Sequence, residues 1–445
     1  MKQTNLLTDG NPIKTLLKFS FPFLISSFLQ ALYGAVDLLV VGQYSTSANV
    51  AGVAIGSQIM QTITSVILGL TTGATILIGQ YFGGKKERNA AKTVGTFSLF
   101  FGILGIIITI VFLFTINFII KLVNTPVDAK TSTYNYLFIC TLGFPFIIGY
   151  NCLSGILRGS GDSKRPLYFI IAACIINIVF DFLLVKYFHM GANGAAFATV
   201  SSQGVSFILA LLYLKNNRLP FKFNKKYIQI FPAKLKMIFQ LGFPIALQDG
   251  LISISFLIIT GIINNMGVIA SASVGVVEKI IIFAMLAPSS IAASIAIITA
   301  QNIGAKKIQR AKHFLLLGIV FSLAMTASFF LCAQFIPEKL TSIFSTDSKV
   351  IHTAAKYLRS YSLDCLLVCF VFSMNSFLSG SGSSLFPMIH SLIATFTIRI
   401  PFSYFLSKVE NITLLEIGFA APLSTLFSFI MLLLYFRYWN RKYAV

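Results

Sequence analysis

Long apolar runs, separated only by short polar segments, recur along the whole chain. They cover positions 15–41, 51–80, 93–119, 134–157, 167–187 and 193–214, then 237–263, 268–302, 314–336, 357–379, 386–406 and 413–437. Each is at or near the roughly 20 residues with which an α-helix crosses the hydrocarbon core of a bilayer. They are not the alternating segments of about 10 residues that mark the strands of a membrane barrel. In lipid every backbone N–H and C=O needs a partner within the protein, and a helix supplies these from its own chain. The pattern therefore predicts an all-α polytopic membrane protein with twelve transmembrane helices. The first run lacks the short apolar core and small-residue cleavage site of a signal peptide, so it is expected to be retained as the first span.

The pattern also repeats itself. Pro22 in SFPFL matches Pro244 in GFPIA, and Gln80 in QYFGGKK matches Gln301 in QNIGAKK. Gly159 and Gly380 each open a GSG triplet, and Pro166 matches Pro387. All four pairs stand 221 or 222 positions apart. Six spans per copy is an even number, so the two copies share one orientation in the membrane, as parallel repeats do. This predicts a six-helix lobe over 1–214, a cytoplasmic linker over 215–236 and a second six-helix lobe over 237–445. The linker is basic and broken by Pro220 and Pro232, and its Phe221, Phe223, Tyr227, Ile228 and Ile230 suit either a headgroup-level segment or a solvated tether. Pro22 and Pro244 lie inside their spans, where proline removes a backbone donor, so both helices are expected to be bent or broken there.

Composition fits the same class. Of 445 residues 56% are hydrophobic and 11% charged, against about 25% charged in soluble domains. The net charge of +21 invites a nucleic-acid reading, but its placement argues for membrane topology instead. On one side of the predicted spans lie only Lys121, Lys130, Lys186, Lys339, Lys349, Lys356, Arg359 and Lys408, and most of the remaining Lys and Arg lie on the other. By the positive-inside rule the richer side, which carries both termini, is cytoplasmic. The six cysteines and four histidines show no disulfide-like or metal-like spacing, and no cofactor is expected.

Five acidic residues fall inside spans: Asp37, Asp181, Asp249, Glu278 and Asp364. A carboxylate at a helix centre costs about 2.5–3.5 kcal/mol to insert, so each needs a partner or a purpose. In the second lobe Lys279 and Arg399 offer ion pairing. The first lobe has no intramembrane base, so Asp37 and Asp181 must find polar neighbours, a proton or a metal cation. At about 1.5 Å of rise per residue, Asp37, Asp181 and Thr199 reach similar depths. Asn177 stands one turn from Asp181 and shares its helix face. Together these groups offer the oxygen ligands of a small hard cation such as Na⁺, or a site where two carboxylates share a proton.

In the order and spacing of these segments the chain resembles the multidrug and toxic compound extrusion (MATE) family. The resemblance rests on SFPFL with Asp37 downstream, QYFGGKK, LRGSGDSKRP from Leu157 to Pro166, Asn177 and Asp181 in NIVFDFLLV, GANGAAFAT ending at Thr199, and their partial repetition. It implies two six-helix lobes that open alternately to the two sides and export organic cations in exchange for H⁺ or Na⁺. It further implies that Asp37, Asn177, Asp181 and Thr199 form the cation site and that a bend near Pro22 is mechanical. Some members instead use a glutamate in the seventh helix. Here that region reads LQDGLISISF, with Gln248 and Asp249 and no glutamate, so the polar residues of the second lobe (Gln248, Asp249, Glu278, Lys279 and Asp364) are either substrate contacts or structural.

The expected partners are small organic cations and the bilayer, with no nucleic acid, and the expected unit is a monomer in the cytoplasmic membrane. The alternative within the wider superfamily is a flippase for lipids or lipid-linked oligosaccharides. An enzyme is not supported, because no nucleophile elbow or paired metal-ligand motif is present.

Overall fold

The apolar run that opens the chain forms one helix, α1 (Pro12–Tyr44). The computed structural model describes residues 7–216, 219–221 and 223–443 and contains no strand among them. Residues 1–6 of the predicted first lobe, 217, 218 and 222 of the predicted linker, and 444 and 445 of the second lobe lie outside the described residues. Six helices follow: α2 (Ser47–Gly83), α3 (Glu87–Leu122), α4 (Lys130–Leu142), α5 (Phe144–Gly159), α6 (Lys164–Asp181) and α7 (Gly191–Asn216). The second copy begins with α8 (Pro232–Asn264), α9 (Val268–Gly304), α10 (Ile308–Phe335), the short α11 (Pro337–Thr341) and α12 (Ser348–Gly380). It ends with α13 (Leu385–Ile393), α14 (Ile400–Leu406), α15 (Leu414–Gly418) and α16 (Ala420–Tyr443). Eleven of the described spans are long and apolar enough to cross a membrane unaided, and one bent pair supplies a twelfth.

That bent pair departs from the expected single run over 134–157. The helices on either side of Gly143 are inclined by 48°. Pro145 lacks the N–H that a continuous helix needs. Gly143 is pressed so closely on α7 that a β-carbon there would stand 2.6 Å from Val200 Cγ2. At Pro22 and Pro244, by contrast, the helix runs through the proline without a break. Each proline removes one hydrogen bond from a helix of 33 residues, and bonding continues on both sides. The Pro22 carbonyl itself accepts a bond from Ser26 Oγ at 2.7 Å.

Wide turns interrupt two spans at the residues of most interest. α6 passes directly after Asp181 into a π-helical turn, Phe182–Tyr187, and α13 passes into another, Ala394–Arg399. Such turns are rare and concentrate at functional positions. Hydroxyls satisfy carbonyls around the second one: Ser424 Oγ donates to Ala394 O at 2.9 Å and Thr397 Oγ1 to Ile393 O at 2.7 Å.

The chain packs as two compact units. The first holds the segment before Gly10 with Phe21–Ala246 and Ala300–Lys306, and the second holds Gly10–Ser20, Leu247–Thr299 and the chain from Lys307 onward. In the first unit α2 packs on α3, α4 and α5, and α7 on α4, α5 and α6. The first half of α8 also belongs to it, because Gly73 of α2 leaves no room for a β-carbon against the backbone of Gly242. Gly83 likewise meets the carbonyl of Gln301. Gln301 is fully buried; its amide donates to Gly159 O at 2.9 Å and accepts from Leu7 N–H at 3.2 Å. The repeated glutamine and glycine motif thus serves close packing of helix ends.

The segment expected as linker is docked on α3. Thr96 Oγ1 donates to Gln229 O and accepts from Phe231 N–H, both at 3.1 Å. Lys234 Nζ donates to Tyr81 OH at 2.7 Å, while Ile228 and Ile230 stay exposed. In the second unit α12 packs on α10, α15 and α16 around Tyr357, Leu358, Tyr361 and Cys365.

Candidate functional site

Three helices of the first unit bring four predicted residues together. α1 carries Asp37, α6 carries Asn177 and Asp181, and α7 carries Thr199. Thr199 Oγ1 donates to Asp37 Oδ2 at 3.1 Å. Asp37 also interacts with Asp181 and Asn177. Asn177 and Asp181 are completely buried and Asp37 is 5% exposed. The helical spacing of four residues puts Asn177 and Asp181 on one face, as their sequence separation implies.

The polar atoms of this cluster are far from satisfied. Asp37 Oδ1, both oxygens of Asp181 and both polar atoms of the Asn177 amide have no hydrogen-bond partner among the described residues. Buried polar atoms in native proteins are nearly always paired, so a concentration of orphans at one point calls for an explanation such as an ion or proton. The orphans here are mostly oxygens, the ligand type of hard cations. No group of three or more His, Cys, Asp or Glu suited to a metal ion occurs among the described residues, so a thiolate or imidazole metal centre is not what the cluster resembles.

Two tyrosines surround the site that the sequence reading did not single out. Tyr33 stands one turn before Asp37 and accepts a bond from Gln203 Nε2 at 3.3 Å; Gln203 itself stands one turn after Thr199. Tyr136 of α4 is 2% exposed and interacts with Thr199 and Asp37. The i, i+4 spacing of Tyr33 to Asp37 and of Thr199 to Gln203 was available in the sequence as a signal. Tyr136 gave none, because it reaches the site only through the packing of α4 on α7.

The remaining predicted polar residues lie in the second unit. Gln248 Nε2 donates to Ser391 Oγ at 3.2 Å. Asp249 is half-buried, and its backbone carbonyl accepts from Ser253 Oγ at 2.9 Å. Glu278 and Lys279 part company: Lys279 is exposed, whereas Glu278 is half-buried and feels the charge of Arg399. Adjacent helix positions do not face each other, and of the two bases expected to offer ion pairing it is Arg399, not Lys279, that acts on Glu278. Asp364 also feels Arg399 and lies near Thr425. The first unit does carry bases within its spans, Arg158 in α5 and Lys186 in the turn after Asp181, contrary to the expectation from sequence. Neither acts on Asp37 or Asp181, whereas Arg399 acts on both Glu278 and Asp364 in the second unit. Pro22 lies in the first unit, in α1, fifteen positions before Asp37.

Comparison with known proteins gives consistent results. The profile of the family described as MatE matches twice, over residues 22–183 and 244–405, which reproduces the internal duplication. The chain is 27% identical to "Probable multidrug resistance protein YoeA" of Bacillus subtilis, over 95% of this chain and 93% of that protein. It is 24% identical to "Multidrug export protein MepA" of Staphylococcus aureus, over 84% of this chain and 83% of that protein. Among solved structures, a multidrug resistance MATE family transporter of the MOP superfamily in an outward-facing conformation superposes with a TM-score of 0.93. That structure shares 20% identity, with 100% of this chain and 99% of the other covered, a likeness of fold.

Proposed function

We propose, from the premise that this chain belongs to the MatE family, that it is a multidrug efflux transporter of the cytoplasmic membrane. It exports small organic cations in exchange for H⁺ or Na⁺, with both termini cytoplasmic and a single chain as the working unit. Asp37, Asn177, Asp181 and Thr199 hold the coupling ion. One observation carries this reading: two buried carboxylates and an amide stand together with orphaned oxygens, and no basic side chain among the described residues acts on either carboxylate.

The physical logic is that of linked binding. A coupling ion drives export only if its occupancy favours one conformation over another, so the site must bind it differently in the two states. A site built from helices that can shift against one another meets that need, because α1, α6 and α7 each contribute part of it. A proton would be shared between Asp37 and Asp181, and Na⁺ would take oxygens from these and from Asn177 and Thr199. The names of the curated relatives favour drug export over the flippase alternative, and the acidic character of the site favours cations as the cargo.

The test is reconstitution of the purified protein in liposomes loaded with a fluorescent organic cation such as ethidium, with a pH gradient and a Na⁺ gradient imposed separately. Efflux driven by either gradient is expected. Failure of both to drive any organic cation contradicts the reading.

A further inference from the structure

Arg399 sits in a cluster of the second unit that the coupling site does not use. The π-helical turn Ala394–Arg399 ends on it, and its Cζ stands 4.5 Å from the ring centroid of Phe256 in α8. Its Nη2 donates to the hydroxyl of Tyr361 in α12 at 3.0 Å. Glu278 and Asp364 both act on it electrostatically. Asp364 is 6% exposed, and its Oδ1 has no hydrogen-bond partner among the described residues. Phe256 is 37% exposed, so its ring is not sealed inside the unit.

A guanidinium is a planar, delocalised, weakly hydrated cation that stacks on aromatic faces. An aromatic face, a hydroxyl acceptor and an excess of carboxylates are also what holds a free planar organic cation. We propose that this cluster is an organic-cation subsite in which Arg399 is a tethered occupant, displaced from the face of Phe256 when a planar cationic substrate binds. One cation replaces another at the ring, so the buried carboxylates do not stand uncompensated during the exchange, which would be costly. The subsite presupposes the export of organic cations proposed above and adds to it the place where such a cation rests in the second unit.

Ethidium binding to the purified protein in detergent, followed by fluorescence anisotropy, tests this. Arg399→Gln vacates the ring and keeps both carboxylates, so ethidium should bind about tenfold more tightly than to the native protein. Arg399→Lys, which keeps the charge and loses the planar fork, should fall between the two. Adding Phe256→Leu to Arg399→Gln should abolish the gain. Unchanged or weaker binding by a folded Arg399→Gln protein overturns the proposal. A measurement on the native protein covers the case in which that variant does not fold. Photolabelling with an azido derivative of ethidium should mark the α8 segment around Phe256, and labelling confined to other segments overturns the proposal. Gradient-driven export by the native protein in liposomes is scored separately. Tighter binding by Arg399→Gln without any export would sink the proposed function and leave the subsite, and export without any change in binding would do the opposite.

Discussion

Thr199 donates a hydrogen bond of 3.1 Å to Asp37 across 162 positions of chain, joining α7 to α1 beside the two unpaired oxygens of Asp181. The bond fixes one oxygen of Asp37 and leaves the other, Oδ1, without a donor. Thr199→Ser should therefore keep export near the native level. Thr199→Val removes the donor, leaves Asp37 Oδ2 unpaired at a cost of about 1–3 kcal/mol, and should weaken export. Dye accumulation in cells expressing each variant at matched levels distinguishes them, and equal export by Thr199→Val would show that the bond is dispensable.

Glu278 and Lys279 are neighbours in sequence and should behave differently on neutralisation. Lys279 is exposed, so Lys279→Gln should leave thermal unfolding in detergent within about ±0.5 kcal/mol of native. Glu278→Gln strips Arg399 of one of its two acidic neighbours and should lower the unfolding midpoint clearly. The opposite ranking would place the counter-charge of Glu278 on Lys279.

Close packing at Gly83 makes a steric prediction. A β-carbon there runs into the carbonyl of Gln301, whereas one at Gly102 meets nothing within 4 Å. Gly83→Ala should destabilise the conformation described here by about 1–3 kcal/mol. Gly102→Ala should be neutral or stabilising by up to about 1 kcal/mol, since alanine favours a helix interior over glycine. Unfolding midpoints of the two variants in the same detergent give the comparison; equal values would mean that α2 and α9 yield to each other at no cost.

Much of this was legible in the sequence because lipid leaves a chain few choices. Apolar runs must become helices, and charges inside them are too costly to be incidental, so the twelve spans and the cluster of Asp37, Asn177, Asp181 and Thr199 could be read directly. The break at Gly143 was legible only in part: Pro145 signals it, but the close approach of α7 through Val200 does not show in the sequence. Nor was Tyr136 at the site, because one tyrosine among 16, with 44 phenylalanines, carries no signal of its own. The relation of Glu278 to Arg399 spans helices far apart in sequence, and the adjacent Lys279 was the misleading choice.

The positive-inside argument gives a topology prediction. With the six native cysteines replaced, a cysteine introduced at Ile228, which is exposed in the segment docked on α3, should react with an impermeant maleimide only after cells are opened. Labelling in intact cells would invert the orientation.

Ion movement coupled to drug movement tests the central claim most directly. In proteoliposomes, uptake of H⁺, by an internal pH dye, or of radioactive Na⁺ would be followed while an organic cation leaves, for the native protein, Asp37→Asn and Asp181→Asn. The native protein should take up one of these ions only when the organic cation is present. Both variants should fold and insert yet lose at least about tenfold of this coupled flux, the equivalent of about 1.4 kcal/mol of lost interaction. Native rates of coupled flux in both variants would contradict the assignment of the coupling ion to this site.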